Sequence, residues 1–437
     1  MTLTGGLRAD RPTFPDEPSR NPAAEASFGF RTDETGSEDI IWSPRVGFNY
    51  SLELAGRESQ LRGGTGIFAG RPPYVWVSNQ YSNTGIEFTR ISAFLRDFDL
   101  DDNFIPFSPD PFDQPRAFPG IRVATNEINV IDPDFQFPTV WRTTLGYDID
   151  VGFLDMTATV EGMYSETQED VLFQNLNVVP TGETLAFDGR PTFTRKNRDF
   201  RDVILLTNTS RGEQWNVAVK LERPFREGWF GRFSYVNGES KVINDGTSSQ
   251  ARSNWRFLET QGDPNNPPIG FSDFDVEHRF NASLSYNFDL GPVNSTVSLF
   301  YNAQSGQPYS TIFFGDVNGD GERSNDLFYV PVSEDEIIIE GDGSWELLNE
   351  YIETDEGLRN ARGQIVRRNA SRAPWIHLLD FHWDIELPIQ RFRPRISVDI
   401  QNFGNLIDSD SGEVQFVPFN AVSPVSWEGI DDETGKP

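Results

Sequence analysis

The sequence predicts an all-β fold: an antiparallel up-and-down transmembrane β-barrel, partial at about eleven strands, with long external loops. Two observations carry this. Apolar and polar side chains alternate with a period of two over runs long enough to cross a bilayer. Short turns and long excursions then alternate along the whole chain. The stretch Glu277–Gln304 shows the first most clearly. Phe280, Ala282, Leu284, Tyr286 and Phe288 alternate with Arg279, Asn281, Ser283, Ser285, Asn287 and Asp289, and Val297, Leu299 and Tyr301 alternate with Thr296, Ser298 and Asn302. Successive side chains of a strand point to opposite faces, and Gly291-Pro292 breaks the two arms into a hairpin. Each arm reaches the roughly 9–11 residues that a tilted transmembrane strand needs. One face is greasy and the other polar and small, as lipid outside and water inside require.

The remaining strands follow in order. Leu3 and Leu7 alternate with Thr2, Thr4 and Arg8, and a Pro-rich acidic loop then runs to about Pro44. Val46, Phe48, Tyr50, Leu52 and Leu54 oppose Arg45, Gly47, Asn49, Ser51 and Glu53; a turn is expected over Ala55–Ser59, and the return carries Leu61, Thr65 and Ile67. Ala69–Pro138 reads as a long irregular stretch. Trp141, Leu145, Tyr147 and Ile149 mark the next strand, turned by Val151-Gly152-Phe153 and returning with Met156, Ala158, Val160 and Tyr164. Residues 166–213 form an excursion with a small hairpin of Val171–Val178 and Val203–Thr207. Trp215, Val217, Val219 and Leu221 define a clean strand, Pro224–Trp229 its turn, and Phe233 and Tyr235 its return. After the central hairpin, an acidic excursion runs to about Pro374. Leu379, Phe381, Trp383 and Ile385 then alternate with Asp380, His382, Asp384 and Glu386; Pro388–Pro394 turns, and Arg395–Phe403 returns. Gly404–Pro437 reads as loop.

Turns of about 3–7 residues sit near positions 57, 152, 227, 291 and 391, separated by excursions of about 30–70 residues. Outer-membrane barrels keep short turns on the periplasmic side and long loops outside, whereas soluble domains rarely carry several structureless loops longer than about 12–15 residues. Composition agrees. Of 437 residues 37% are apolar, yet 36 Phe, 10 Trp and 11 Tyr are present, which suits a thin apolar band on an otherwise polar wall. A net charge of −30 argues against nucleic acid, which needs clustered Lys and Arg. Cysteine is absent, so there is neither a disulfide framework nor a thiolate metal site. No run of about 18 apolar residues is present, so no transmembrane helix is expected. Residues 1–10 already read as a strand rather than a signal peptide.

Several longer segments are similar to the barrel region of TonB-dependent outer-membrane transporters, specifically the Oar-like group. They are Ser43–Tyr50, Gln60–Gly85 (QLRGGTGIFAGRPPYVWVSNQYSNTG), Asp132–Asp148, Asn244–Trp255, Phe271–Tyr286, Ser298–Ser310, Gly315–Pro331 (GDVNGDGERSNDLFYVP) and Arg368–Trp375. The resemblance implies that residues 1–437 are the C-terminal portion of such a barrel, with no separate plug domain, signal peptide or TonB box. It implies residence in the outer membrane of a Gram-negative cell, outer-membrane lipid as a partner, and a TonB complex reached through the N-terminal part that is missing. It also implies an unidentified substrate taken up by the complete protein. A final downward strand closing on an aromatic residue is expected beyond Pro437. A non-transport surface adhesin or structural barrel with acidic, cation-binding loops is the alternative, and a soluble β-rich carbohydrate-active enzyme comes third.

Candidate chemistry is sparse, and no enzymatic reaction is expected. Asp316, Asn318 and Asp320 with Gly321 copy the first half of a calcium loop, with Asp326 or Glu322 assisting; alternate oxygens around a Gly turn suit a hard cation. Leu327 stands where the twelfth-position Glu belongs, and the bland reading is an Asn/Asp/Gly turn. Calcium is the one cofactor expectation. Asp380, His382, Asp384 and Glu386 share a strand face, read as a wetted lumen wall. His278 and His377 complete three histidines with no HExxH pattern, and neither GxSxG nor a P-loop occurs. Arg71–Trp76 either touches a ligand from a loop or packs that loop.

Overall fold

The computed structural model describes residues 1–87, 108–114, 127–152, 154–341, 343–389, 392–431 and 433–437. Phe153, placed in a turn by the sequence, and residues 390–391 of the Pro388–Pro394 turn lie outside them.

Eleven strands form one meander: β1 (Thr2–Asp10), β2 (Ile41–Leu54), β3 (Arg57–Ala69), β4 (Thr139–Asp150), β5 (Thr157–Asn175), β6 (Gly212–Arg226), β7 (Trp229–Val242), β8 (His278–Leu290), β9 (Val293–Gln304), β10 (Ile376–Glu386) and β11 (Arg395–Ile400). Each pairs antiparallel with its neighbour in this order. Among the described residues β1 and β11 do not pair with one another, so the sheet is open. Residues directly opposed across a pair share a face, and the register keeps apolar with apolar. One row runs Tyr50, Leu61, Tyr147, Val160, Val219, Tyr235, Phe280, Ala303 and His377. It begins near the short turn on β2 and ends at the opposite end of β10. That steady drift is the stagger and strand tilt that a barrel wall requires.

The short turns are tighter than the sequence suggested. Leu54 pairs with Arg57, so the expected Ala55–Ser59 turn is only Ala55-Gly56, both at positive φ (53° and 76°). That is the conformation of a two-residue hairpin turn whose twist matches the strands, and glycine meets its left-handed requirement. Glu227-Gly228 repeats it at 51° and 83°, where Pro224–Trp229 had been expected. Strand pairing instead continues across a bulge between Arg223 and Arg226. The buried Arg223 guanidinium pins the bulge by donating to the carbonyls of Leu154, Arg226 and Trp229 at 2.9, 2.6 and 2.7 Å.

Where described, the long excursions fold, which corrects their reading as irregular; residues 88–107 and 115–126 of the Ala69–Pro138 stretch lie outside the described residues. Their own hydrophobic clusters pay for the ordering that bare loops of this length cannot sustain. Ala69–Pro138 contains a helix (Tyr74–Ser82) and a strand (Ile128–Ile131). The expected pairing of Val171 onward with Val203–Thr207 is present, but as a continuation of β5, which extends to Asn175. The separate hairpin is Val178–Thr184 with Pro191–Arg195. β11 stops at Ile400 rather than Phe403, and the tail returns to add Ala421–Ser426 parallel to Pro308–Phe314. Trp255, Phe135, Phe173 and Ile204 centre one buried cluster; Leu327, Phe328, Ile352 and Leu358 centre a second. These excursions leave the sheet at the ends opposite the short turns and together form a cap. Among the described residues, no helix is long and apolar enough to cross a membrane.

Candidate functional site

The cap and the polar face of the sheet hold the side chains singled out by the sequence. In the cap, Asp316, Asn318, Asp320 and Asp326 lie along one tight loop, and each serves that loop's backbone. Asp316 accepts from the amides of Gly319 and Gly321 at 2.8 and 3.0 Å. The Asn318 side-chain oxygen accepts from the Asp320 amide, and Asp320 from the Glu322 amide and the Asn325 side chain. Asp326 accepts from the Val317 amide and from Arg190, both at 2.9 Å. Arg190 is fully buried and shared with Asp188 at 2.5 Å. Two carboxylates on one guanidinium leave excess negative charge in a dry place, and burial pushes Asp320 up to about 7 and Asp326 up to about 6. Burial also raises Asp316. Among the described residues, no three carboxylate or imidazole groups converge closely enough to hold a metal ion.

Glu322 belongs to a different network. It pairs with Arg252, which also binds Asp202 at 2.6 Å, and with Arg256 at 3.2 Å. These charges come from excursions far apart in sequence and tie them together. Spacing gave no hint of them.

On the sheet, Asp380, His382, Asp384 and Glu386 share the polar face, as expected. They stand opposite Phe300, Ser298, Thr296 and Asn294 of β9. His382 Nδ1 lies 2.6 Å from Asp399 and Nε2 lies 3.2 Å from Asp384, so the imidazole bridges β10 and β11. Ser285 with Ser298, and Asn281 with Asn302, continue this polar face as hydrogen-bonded pairs at 2.8 and 2.7 Å. His278 and His377 lie on the apolar face instead. Tyr235 and Tyr301 hydroxyls meet their Nδ1 atoms at 2.8 Å, and Trp375 stacks near both rings. This amphipathic aromatic belt at the cap end suits a membrane–water interface; the sequence reading had treated these histidines only as missing zinc ligands. Trp76 packs the cap: its ring meets Phe173 edge-on and its Nε1 donates to the Ser248 carbonyl at 2.8 Å.

Comparison with known proteins gives the following. Residues 29–406 match the family model of the outer membrane beta barrel domain. No curated protein sequence matches the chain. It is similar in structure to the copper transporter OprC, at TM-score 0.39 and 12% identity, covering 92% of this chain and 40% of that one. It is likewise similar to the outer membrane transporter YddB from Escherichia coli (0.41, 11%, covering 84% and 37%) and to the siderophore receptor PirA from Acinetobacter baumannii (0.39, 12%, covering 86% and 38%). The chain thus spans about two fifths or less of those proteins. With the family model running across all eleven strands but the first, the chain belongs to the outer membrane β-barrel domain family and resides in the outer membrane.

Proposed function

We infer that the chain is the wall and outer cap of a TonB-dependent transporter of the Oar-like group, binding a substrate and passing it inward when the protein is complete. It performs no covalent chemistry. The observation that supports this most is the division of the sheet. One face is predominantly apolar, and the other is lined by Ser, Asn, Asp and Arg in hydrogen-bonded pairs, beneath a folded cap. A water-lined wall under ordered external loops fits capture of a solute too large for general diffusion. The alternative, a surface adhesin, draws support from the acidic cap.

The test compares cells carrying the intact gene with and without a working TonB, following which solutes disappear from the medium. Uptake that stops without TonB, while the protein remains displayed at the surface, is expected. Uptake indifferent to TonB, or cell attachment with no solute uptake, would overturn the transport reading.

A further inference from the structure

The polar face of β1–β4 differs from the rest of the wall. Along one register row Gly6 opposes Arg45, Arg45 opposes Gly66, and Gly66 opposes Arg142. In the next row toward the short turns stand Thr4, Gly47, Gly64 and Thr144. Four glycines therefore floor a patch bare of side chains, flanked by two arginines from strands two places apart. Two of the four, Gly64 and Gly66, are required there, while a Cβ on Gly6 would meet nothing and one on Gly47 only the Gly63 carbonyl at 3.4 Å. A Cβ on Gly66 would meet Arg45 Cγ at 2.8 Å and the Pro44 carbonyl at 2.7 Å, and a Cβ on Gly64 would meet the Val46 carbonyl at 2.9 Å. Arg45 thus lies down across the floor, with its guanidinium carbon 4.2 Å from the centre of the Phe68 ring; that of Arg142 is 5.8 Å from the same ring. One aromatic side chain so gathers both cations.

What sets these arginines apart is the absence of a counter-charge. Acidic residues outnumber basic ones by 67 to 37 in this chain, and the neighbouring arginines of the same face are paired. Arg62 holds Asp148 at 3.1 Å and Glu161 at 2.6 Å, and Arg8 holds Asp10 at 2.7 Å. Among the described residues, Arg45 has no carboxylate partner and gives Nε only to the Ile67 carbonyl at 3.4 Å. Arg142 has none either, and its Nε is buried without any acceptor. A buried donor left unmet is costly, and more so when it is charged. A guanidinium fork is matched best by a carboxylate or a phosphate.

We propose that Arg45 and Arg142, over the glycine floor of Gly6, Gly47, Gly64 and Gly66, form an oxyanion-binding site on the wall for a solute bearing carboxylate or phosphate groups. As a statement about transported substrate this rests on the transport reading. Binding is measured without transport, so the two fail separately.

The experiment is titration calorimetry on the full chain in detergent at low ionic strength, where screening is weakest, with citrate in one arm and inorganic phosphate in the other. Heat with either anion is expected, and the arm that responds more strongly tells carboxylate from phosphate. R45Q/R142Q is expected to weaken binding more than about tenfold. R395Q removes a cation of the same face that is already near Glu386 and Asp384, and is expected to leave binding unchanged. R142K keeps the charge but loses the fork, and falls between; it also serves if the double variant does not show the heat-modifiable migration of a folded barrel. No heat from the folded wild type up to about 10 mM of either anion, equal binding by wild type and R142K, or an equal loss in R395Q, would overturn the assignment.

Discussion

The sheet and the cap use the same apolar residues under opposite rules. In the sheet Leu284 and Val217 are 52% and 43% exposed, and their neighbours on that face are exposed too. In the cap Leu327 and Ile352 are fully buried. The cap is an ordinary protein interior: its apolar groups leave water by meeting one another. Among the described residues the apolar face of the sheet is largely uncovered, apart from Phe403 of the tail stacked on Phe381, and membership of the outer-membrane family supplies the missing solvent, which is lipid. The difference fixes what each region tolerates. The cap depends on shape, because a cavity there stays empty. The sheet depends on polarity, because lipid fills any shape but solvates no charge.

The largest expected effect lies in the cap. Trp255 is buried against Phe173 and Ile204, with its Nε1 donating to Asn265 at 3.0 Å. Trp255→Ala should destabilise the cap by about 3–5 kcal/mol. Limited proteolysis should then cut the excursions while the sheet keeps its folded migration; simultaneous loss of both would show that the two regions are one cooperative unit. Next comes polarity in the sheet. Leu284→Arg on the apolar face should cost roughly 2–4 kcal/mol near the bilayer midplane, and its neighbour Ser283→Arg on the polar face much less. Equal effects on assembly would break the comparison at its root.

The sheet was legible in the sequence because it has a period. Its strands, their order and the two faces of residues such as Leu284 and Ser283 follow from alternation and turn placement alone. The cap was not, because its contacts are aperiodic and distant. Arg252 reaching Asp202 and Glu322, or Ala421–Ser426 joining Pro308–Phe314, leave no local pattern. The calcium-like loop sits between the two cases. Its spacing was visible, and so was the turn in which its carboxylates cap amides a few residues on, but the Arg190–Asp326 pair depends on a residue far along the chain. The Arg45–Arg142 site was missed because its signal is the lack of an acid partner, which only neighbouring strands reveal.

A smaller effect tests the cap's interior by pH. Glu259 is buried near Arg368, Asp273 and Asp245, and burial raises it from 4.5 to about 8. The folded cap therefore holds a proton that the unfolded chain releases between those values. That stabilisation is complete below about 4.5 and is lost as pH rises through about 8. Glu259→Gln should flatten this slope, leaving the cap more resistant to proteolysis than wild type at pH 9 and little changed at pH 5. A wild-type cap whose resistance does not fall across that range would place Glu259 in a wetter setting.

The smallest expected effect concerns calcium at Asp316, Asn318, Asp320 and Asp326, which we keep as a proposal. In its favour, burial crowds negative charge into this loop, and the Asn325 side-chain oxygen is buried with no partner. Against it, each carboxylate already accepts from an amide, from Asn325 or from Arg190. An ion must displace those bonds and gather oxygens that do not now converge. Hard cations want six to eight such ligands, and sites short of that number bind at about 10⁻⁴–10⁻³ M. Weak binding is therefore the expectation: calorimetric heat only at millimolar calcium, abolished by Asp316→Ala with Asp320→Ala, and accompanied by a modest gain in the cap's resistance to proteolysis. Magnesium, with its stricter octahedral demand, should do less. No heat at millimolar calcium, or the same heat in the double variant, would leave these residues as the hydrogen-bonded frame of a turn. The cap's stability would then rest on its apolar clusters and on polar ties such as those of Arg190, Arg252 and Arg368, with no contribution from an ion.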